Sequence, residues 1–267
     1  MEKVLVHAVA ALEAAGIPYA LMGGLASAAL GRFRHTHDID LFVTHEAAGP
    51  ALDALARAGF RTERTDPGWL FKAFRGEAMV DVIFRSKGGI VFDDDVRSHL
   101  RPVEIGGRRI PAVSPEDMLV IKALVNAEHV PRHWHDCLGI IAHNRLDWGY
   151  LVRRARGHAS RVLSLLLYAV SDELEVPAGA MRELFEEAMS GVEASVEREA
   201  EHQLAARVRQ ALATDRRVNE PHVSVMVCDG SVVVRGQVAT PRRREAIDTV
   251  LHELLHDEQI CNEVEVT

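Results

Sequence analysis

The sequence predicts an α+β protein in three parts: a mixed-sheet core over residues 1–113, a helical region over 114–202 and a small α-β-β-α-β domain over 203–267. Three observations support this division. Short apolar runs alternate with amphipathic stretches in the first part, helical periodicity continues almost without a break through the second, and the third returns to valine-rich runs about an Asp-Gly turn. Helices and strands are thus mixed through the first 113 residues, as expected of a core that contains both.

Composition favours a folded cytosolic protein. Of the 267 residues, 48% are hydrophobic, and the net charge of −8 argues against a general nucleic-acid binder, although local RNA binding stays open. The three cysteines are too few and too scattered for a disulfide framework. We expect no transmembrane segment, no signal peptide and a cytoplasmic location, since no apolar run is long enough to span a membrane.

The first part alternates helices with strands. A helix over residues 2–15 is closed by Gly16, and the strand Tyr19–Met22 runs directly into the Gly23-Gly24 turn. The further predicted elements, in chain order, are the helix Leu25–Leu30, the strand Asp38–Val43, the helix Glu46–Ala58, a strand beginning at Phe60–Glu63, the strand pair Trp69–Arg75 and Ala78–Arg85 about a turn at Gly76-Glu77, and a hairpin of Pro102–Ile105 with Arg108–Val113.

The second part starts from a strong helix cap. Ser114 suits the N-cap position, Pro115 suits the first turn, and Asp117 completes a capping box. Helical patterning then continues to about residue 212. The predicted helices are Met118–Ala127, Pro131–His143, Asp147–Arg156, Ser160–Val170, Gly179–Met189 and Val192–Thr214.

The third part begins with a helix over Gln203–Ala213, followed by two valine-rich strands joined at Asp229-Gly230. A helix over Pro241–His256 and a strand over Glu263–Val266 complete the α-β-β-α-β order. This order, the Asp-Gly turn and the closing Val-x-Val resemble the BON domain. The resemblance implies a module that binds phospholipid or protein, and an unrelated α+β appendage is the alternative.

Two carboxylates share one face of a predicted strand close to a glycine turn. Alternate residues of a strand point to the same side, so Asp38 and Asp40 face one way. The turn at Gly23-Gly24 lets the backbone approach a phosphate closely, and the helix N-terminus after it offers N–H donors. Asp81 adds a third acid from the middle of another apolar strand. Such carboxylates suit Mg²⁺ ions that bridge to substrate phosphates.

These residues resemble the nucleotidyltransferase superfamily that includes DNA polymerase β, over about residues 15–155. The resemblance implies a nucleotidyltransferase mixed-sheet core that binds an NTP such as ATP with two Mg²⁺ ions. Asp38, Asp40 and Asp81 would hold the metal ions, and Asp81 would also help to deprotonate the acceptor hydroxyl. The expected nucleotide-binding residues are Gly23, Gly24, Ser27, Arg34, Thr36 and Lys122. The pattern fits small bacterial members, many of them in toxin–antitoxin or abortive-infection systems.

Lys122 is assigned to the nucleotide site from the order of residues along the chain rather than from a local motif. Related small nucleotidyltransferases often carry a helical lysine followed by an Arg-x-x-x-Asp-like segment beside the site, and here Arg132 and Asp136 follow Lys122 in that order. A lysine in that place would offset the charge of a triphosphate. A surface lysine with a helix-capping acid is the alternative, and the sequence leaves both open.

The last predicted helix contains His252-Glu253-Leu254-Leu255-His256, which spells the H-E-x-x-H pattern of zinc proteases. Few residues follow it, and Leu251, Leu254 and Leu255 are needed as the buried stripe of the helix. We therefore do not interpret this motif as a protease site.

Taken together, the sequence predicts a Mg²⁺-dependent nucleotidyltransferase that moves an NMP from an NTP to a hydroxyl of a protein, an RNA such as a tRNA end, or a small molecule. An antitoxin-like partner that modifies a cognate protein is a second interpretation. The third is a catalytically silent binding protein whose BON-like domain mediates lipid or protein interaction. The intact acids Asp38, Asp40 and Asp81 favour the first two.

Overall fold

A seven-stranded mixed sheet organises the N-terminal part of the chain. The computed structural model describes residues 1–31, 35–36, 38–127, 131–218, 223–228, 231–255 and 259–266. The chain divides into two compact units, Met1–Met189 and Ser190–Thr267. Among the described residues, no helix is both long enough and apolar enough to cross a membrane.

The strands of the first unit follow the spatial order β3-β4-β5-β2-β1-β7-β6. Their bounds are β1 Ala20–Met22, β2 Asp38–Phe42, β3 Arg61–Asp66, β4 Leu70–Arg75, β5 Ala78–Ile83, β6 Arg101–Ile105 and β7 Arg108–Ala112. The predicted α+β class with a mixed-sheet core is confirmed, since β2 and β5 run parallel while β1 and β4 each run antiparallel to one of them.

Helices cover this sheet and continue the chain beyond it. Their bounds are α1 Glu2–Ala14, α2 Gly23–Leu30, α3 His45–Arg57, α4 Asp94–Ser98, α5 Pro115–Val125, α6 Arg132–His143, α7 Trp148–Arg154, α8 Ala159–Ser171 and α9 Ala178–Thr214. One continuous buried apolar cluster joins the sheet to α1, α2, α3 and α5–α8. The predicted helical region therefore shares a core with the sheet.

A buried polar network fixes the start of α5. The predicted cap is present, because Ser114 Oγ accepts from the Asp117 N–H at 3.0 Å. The Asp117 carboxylate, itself buried, accepts from the Tyr150 hydroxyl and from Arg154 Nε, each at 2.7 Å, and Arg154 also donates to Asp93. Charge-assisted bonds of this kind fix the orientation of α7 relative to α5.

The second unit contains a three-stranded sheet, in the order β10-β9-β8, with its own apolar core. Its elements after the end of α9 are β8 Ser224–Cys228, β9 Ser231–Val238, α10 Pro241–Leu254 and β10 Gln259–Val266. β8 and β9 are antiparallel, and β9 and β10 are parallel with α10 as the crossover. The predicted α-β-β-α-β order is confirmed, and its Asp229-Gly230 turn lies outside the described residues.

Three element predictions were wrong in detail. The structure has a single helix, α9, where two were predicted, because one glycine, Gly191, costs about 1 kcal/mol in a helix and good helix formers flank it. α4 was not predicted, although Asp93 caps it by accepting from the Val96 N–H at 2.8 Å. β10 begins at Gln259 rather than Glu263, because β9 supplies a partner for every residue of it.

Candidate active site

Strand pairing brings the three predicted acids together. The parallel register of β2 and β5 places Asp40 directly beside Asp81, and Asp38 lies two residues earlier on the same face of β2. One oxygen from each carboxylate lies within 4.8 Å of the other two. Three convergent carboxylate oxygens form a donor set that fits a hard divalent cation such as Mg²⁺. Among the described residues, this is the one group of three or more histidine, cysteine and acidic side chains that could hold a metal ion.

The three carboxylates repel one another and are partly shielded from water. Burial, together with the nearby charges of Asp38 and Asp81, raises the pKa of Asp40 to about 7, against the Gly24 N–H and Lys122, which lower it. Burial also raises the pKa of Asp81, against the Lys72 ammonium beside it. A bound cation would relieve this repulsion, so the cluster is better suited to a metal-loaded state than to an empty one.

Position 23 needs a glycine, because any side chain there would collide with Asp40. Its φ is +65°, and a Cβ built on it would lie 1.8 Å from Asp40 Oδ2. The next residue, Gly24, donates its backbone N–H to the Asp40 carboxylate. The glycine turn therefore brings the N-terminus of α2 against the acid of β2, and Gly23 lines the cavity above it. Contact of Gly23 and Gly24 with a triphosphate stays a prediction.

The remaining predicted nucleotide-binding residues lie in different surroundings. Thr36 Oγ1 donates to Asp38 Oδ1, which orients that carboxylate. Ser27 is fully buried, and its hydroxyl donates to the Gly23 carbonyl at 2.7 Å, so this hydroxyl is bonded within α2. Arg34 lies outside the described residues.

Lys122 and Asp136 form a buried ion pair beside the site. Lys122 Nζ lies 2.8 Å from Asp136 Oδ2, and both residues are almost completely buried. Lys122 also lines the cavity, and its charge lowers the pKa of Asp40. The alternative of a surface lysine with a helix-capping acid is therefore wrong. Whether Lys122 contacts a nucleotide stays a prediction.

Lys72 was missed by the sequence reasoning. It pairs with Asp81 across β4 and β5, and its Nζ lies 2.8 Å from Asp81 Oδ1. The hairpin in the sequence could have revealed this pair. The turn at Gly76-Glu77 places Arg75 opposite Ala78, and counting three residues further along each strand places Lys72 opposite Asp81. This lysine is the direct counter-ion of the third carboxylate.

A cavity of about 490 Å³ opens over the three carboxylates. Its volume is in the range of small-molecule sites. Its charged lining consists of the acids Asp38, Asp40 and Asp81 and the cationic side chains Arg85, Lys87, Lys122 and Arg132. Acids that can hold cations, with cationic side chains in the lining of the same cavity, suit a ligand that carries both metal and phosphate.

The H-E-x-x-H segment has other contacts. Glu253 accepts from Arg217 at 2.6 and 2.9 Å, and the His252 ring pairs with the Asp248 carbonyl at 2.8 Å. His256 lies outside the described residues. The Glu253 carboxylate is therefore engaged in an ion pair with Arg217, which argues against a protease site.

We expect the metal-free protein to lose stability as the pH rises from about 4 to about 7. The folded state keeps Asp40 protonated up to its pKa of about 7, whereas the unfolded chain releases that proton near the ordinary value of 3.8. The folded state therefore binds more protons in this window, and the free energy of unfolding falls with pH. The check is the thermal midpoint in EDTA at several pH values, for the wild type and Asp40→Asn. The Asn variant should show a smaller fall, and equal falls would contradict the prediction.

Comparisons with known structures give likenesses at low identity. The chain is similar to a lincomycin-bound lincosamide antibiotic adenylyltransferase, LnuA (18% identity, 52% of this chain and 98% of the other, TM-score 0.42). It is also similar to ANT(2″)-Ia in complex with adenylyl-2″-tobramycin (19%, 64% and 98%, TM-score 0.42). A third is an antigenic nucleotidyltransferase-like protein from Paracoccidioides brasiliensis (14%, 68% and 91%, TM-score 0.39). Among curated protein sequences, none matches significantly.

Two family models match the sequence. Residues 200–267 match the BON domain, as the resemblance implied. Residues 2–175 match a family described as uncharacterised nucleotidyltransferase, and this range includes the sheet, the three acids and the cavity. Because that match covers well over half of the chain, the protein belongs to this nucleotidyltransferase family.

Proposed function

We propose that this protein transfers an NMP from an NTP to a hydroxyl acceptor on a protein, an RNA or a small molecule, with two Mg²⁺ ions held by Asp38, Asp40 and Asp81. The observation that carries the proposal is the convergence of three carboxylate oxygens within 4.8 Å at the base of a cavity that cations also line. A silent member of the family would have no need to keep three mutually repelling acids in place.

Different residues of the chain would serve different steps of the reaction. The acceptor oxygen forms a bond to the α-phosphorus, the bond from that phosphorus to the oxygen of the β-phosphate breaks, and pyrophosphate leaves. Asp81 accepts the proton of the acceptor hydroxyl, and its neighbour Lys72 orients the carboxylate. Bound Mg²⁺ would lower the pKa of that hydroxyl and neutralise the leaving group. Arg85, Lys87 and Arg132 line the same cavity and offset the triphosphate charge.

The test is a label-transfer assay with the whole protein. Each NTP, radiolabelled at the α-phosphate, is incubated with the protein, Mg²⁺ and lysate of the source cell, with a parallel reaction in EDTA. Label that enters a protein, RNA or small-molecule fraction only with Mg²⁺ supports the proposal and names the acceptor class. If label enters no fraction with any NTP, the proposal is wrong. The toxin–antitoxin setting, the cytoplasmic location and a lipid or protein partner for the BON domain stay predictions.

A further inference from the structure

Trp69 presents an aromatic surface to the candidate active site. The residue directly precedes β4, lines the cavity above the three carboxylates and is 44% exposed. Tryptophan is enriched at binding surfaces, because its ring combines a large apolar face with one polar N–H group. The mechanism above does not use this residue.

The indole ring is held in place by its own turn. Its Nε1–H donates to Asp66 Oδ2 at 2.9 Å, while Asp66 Oδ1 accepts from the Gly68 N–H at 2.8 Å. The Trp69 carbonyl accepts from the Phe84 N–H at 3.0 Å, which fixes the backbone against the end of β5. Because the polar atom of the ring is already bonded, the ring offers a ligand its flat face, and a fixed ring loses little entropy on binding.

Apolar side chains line the same cavity as Trp69. From the sheet side, Ile83 lines the cavity two residues after Asp81. From the helical side, α5 contributes Met118, Ile121 and Val125, which are spaced at i, i+3 and i+7 and so share one helical face. A ligand group that enters between these apolar surfaces needs no polar partner on its faces.

The order of strands in the sheet indicates which part of the substrate lies beside Trp69. Gly23 follows β1, Asp40 lies on β2, Asp81 on β5, and Trp69 precedes β4, so the glycine turn and Trp69 lie on opposite sides of the acids. Three strand spacings of about 4.8 Å separate β1 from β4, about 14 Å across the sheet. An NTP with its terminal phosphates at the glycine turn and its α-phosphate over the acids extends its nucleoside toward β4. We propose that Trp69 stacks on the nucleobase of the NTP, an inference that rests on the proposed function.

The test compares two ligands that share a triphosphate but differ in the base. The probes are α,β-methylene-ATP, which cannot release pyrophosphate, and inorganic tripolyphosphate, each titrated with Mg²⁺ by calorimetry. Base stacking on an aromatic side chain accounts for about a ten-fold change in affinity or more. We expect Trp69→Ala to weaken binding of the methylene analogue about ten-fold and to leave tripolyphosphate binding unchanged, whereas Trp69→Phe restores most of the affinity.

Phe185→Ala is the matched control, because Phe185 is an aromatic side chain that is 54% exposed and does not line this cavity. It should bind both probes as the wild type does. If Trp69→Ala keeps full affinity for the analogue, or loses affinity for both probes equally, the stacking inference is wrong while the proposed function stands. If the wild type binds neither probe, the proposed function itself fails, and the inference fails with it.

Discussion

Replacing Asp40 with Asn is expected to abolish nucleotidyl transfer while the chain stays folded. Asp40 pairs with Asp81 across β2 and β5, and its carboxylate is one of the three that converge within 4.8 Å. Losing one charged ligand of a catalytic metal should remove about 4 kcal/mol of transition-state stabilisation, which corresponds to at least about a thousand-fold in rate. The measurement is label transfer from the NTP that gives the strongest wild-type signal.

Stability separates this catalytic effect from simple unfolding. Burial and the neighbouring acids raise the pKa of Asp40, which means that its ionised form is unfavourable in the metal-free fold. A neutral Asn of almost the same shape should therefore leave the thermal midpoint unchanged or higher in EDTA. Asp53→Asn is the matched control, since it makes the same chemical change at an exposed acid of α3 and should keep full activity. Activity of Asp40→Asn above a tenth of the wild-type rate would show that the site assignment is wrong.

The central part of the fold and site could be predicted because its signals are local. A strand, a Gly-Gly turn, a short helix and a second strand follow one another between Tyr19 and Val43, and side-chain alternation alone places Asp38 and Asp40 on one face. The third acid needed one non-local step, the pairing of β2 with β5. That Asp81 joins the other two acids could be predicted only from the family resemblance, because the order of strands in a sheet is not encoded in local periodicity.

Packing between helices determines what the sequence did not reveal. Lys122 and Asp136 lie on different helices, and only the packing of α5 against α6 shows that they form a buried pair. The same holds for Asp117, which was predicted as a capping residue and is also the acceptor for Tyr150 and Arg154. A local motif gives one partner for such a side chain, whereas the tertiary fold adds the others.

Gly23→Ala is expected to damage the site through space rather than through charge. The added Cβ would meet Asp40 Oδ2 at 1.8 Å, so the carboxylate or the start of α2 must move. Displacing a reacting group by about 1 Å can cost about a hundred-fold in rate, and we expect a loss of that size in label transfer. The variant should also lose stability, because φ at this position is +65°, where a residue with a Cβ is strained.

Gly16→Ala provides the control that separates strain from collision. Gly16 has nearly the same φ, +66°, but nothing lies within 4 Å of the Cβ that would be added. It should therefore show only the cost of the left-handed backbone, about 1–2 kcal/mol, and keep full activity. Gly23→Ala should cost about 1–3 kcal/mol more, as overpacked positions do. If the two variants unfold at the same midpoint and transfer label equally well, Gly23 is only a turn residue, and the close approach of α2 to Asp40 does not contribute to the site.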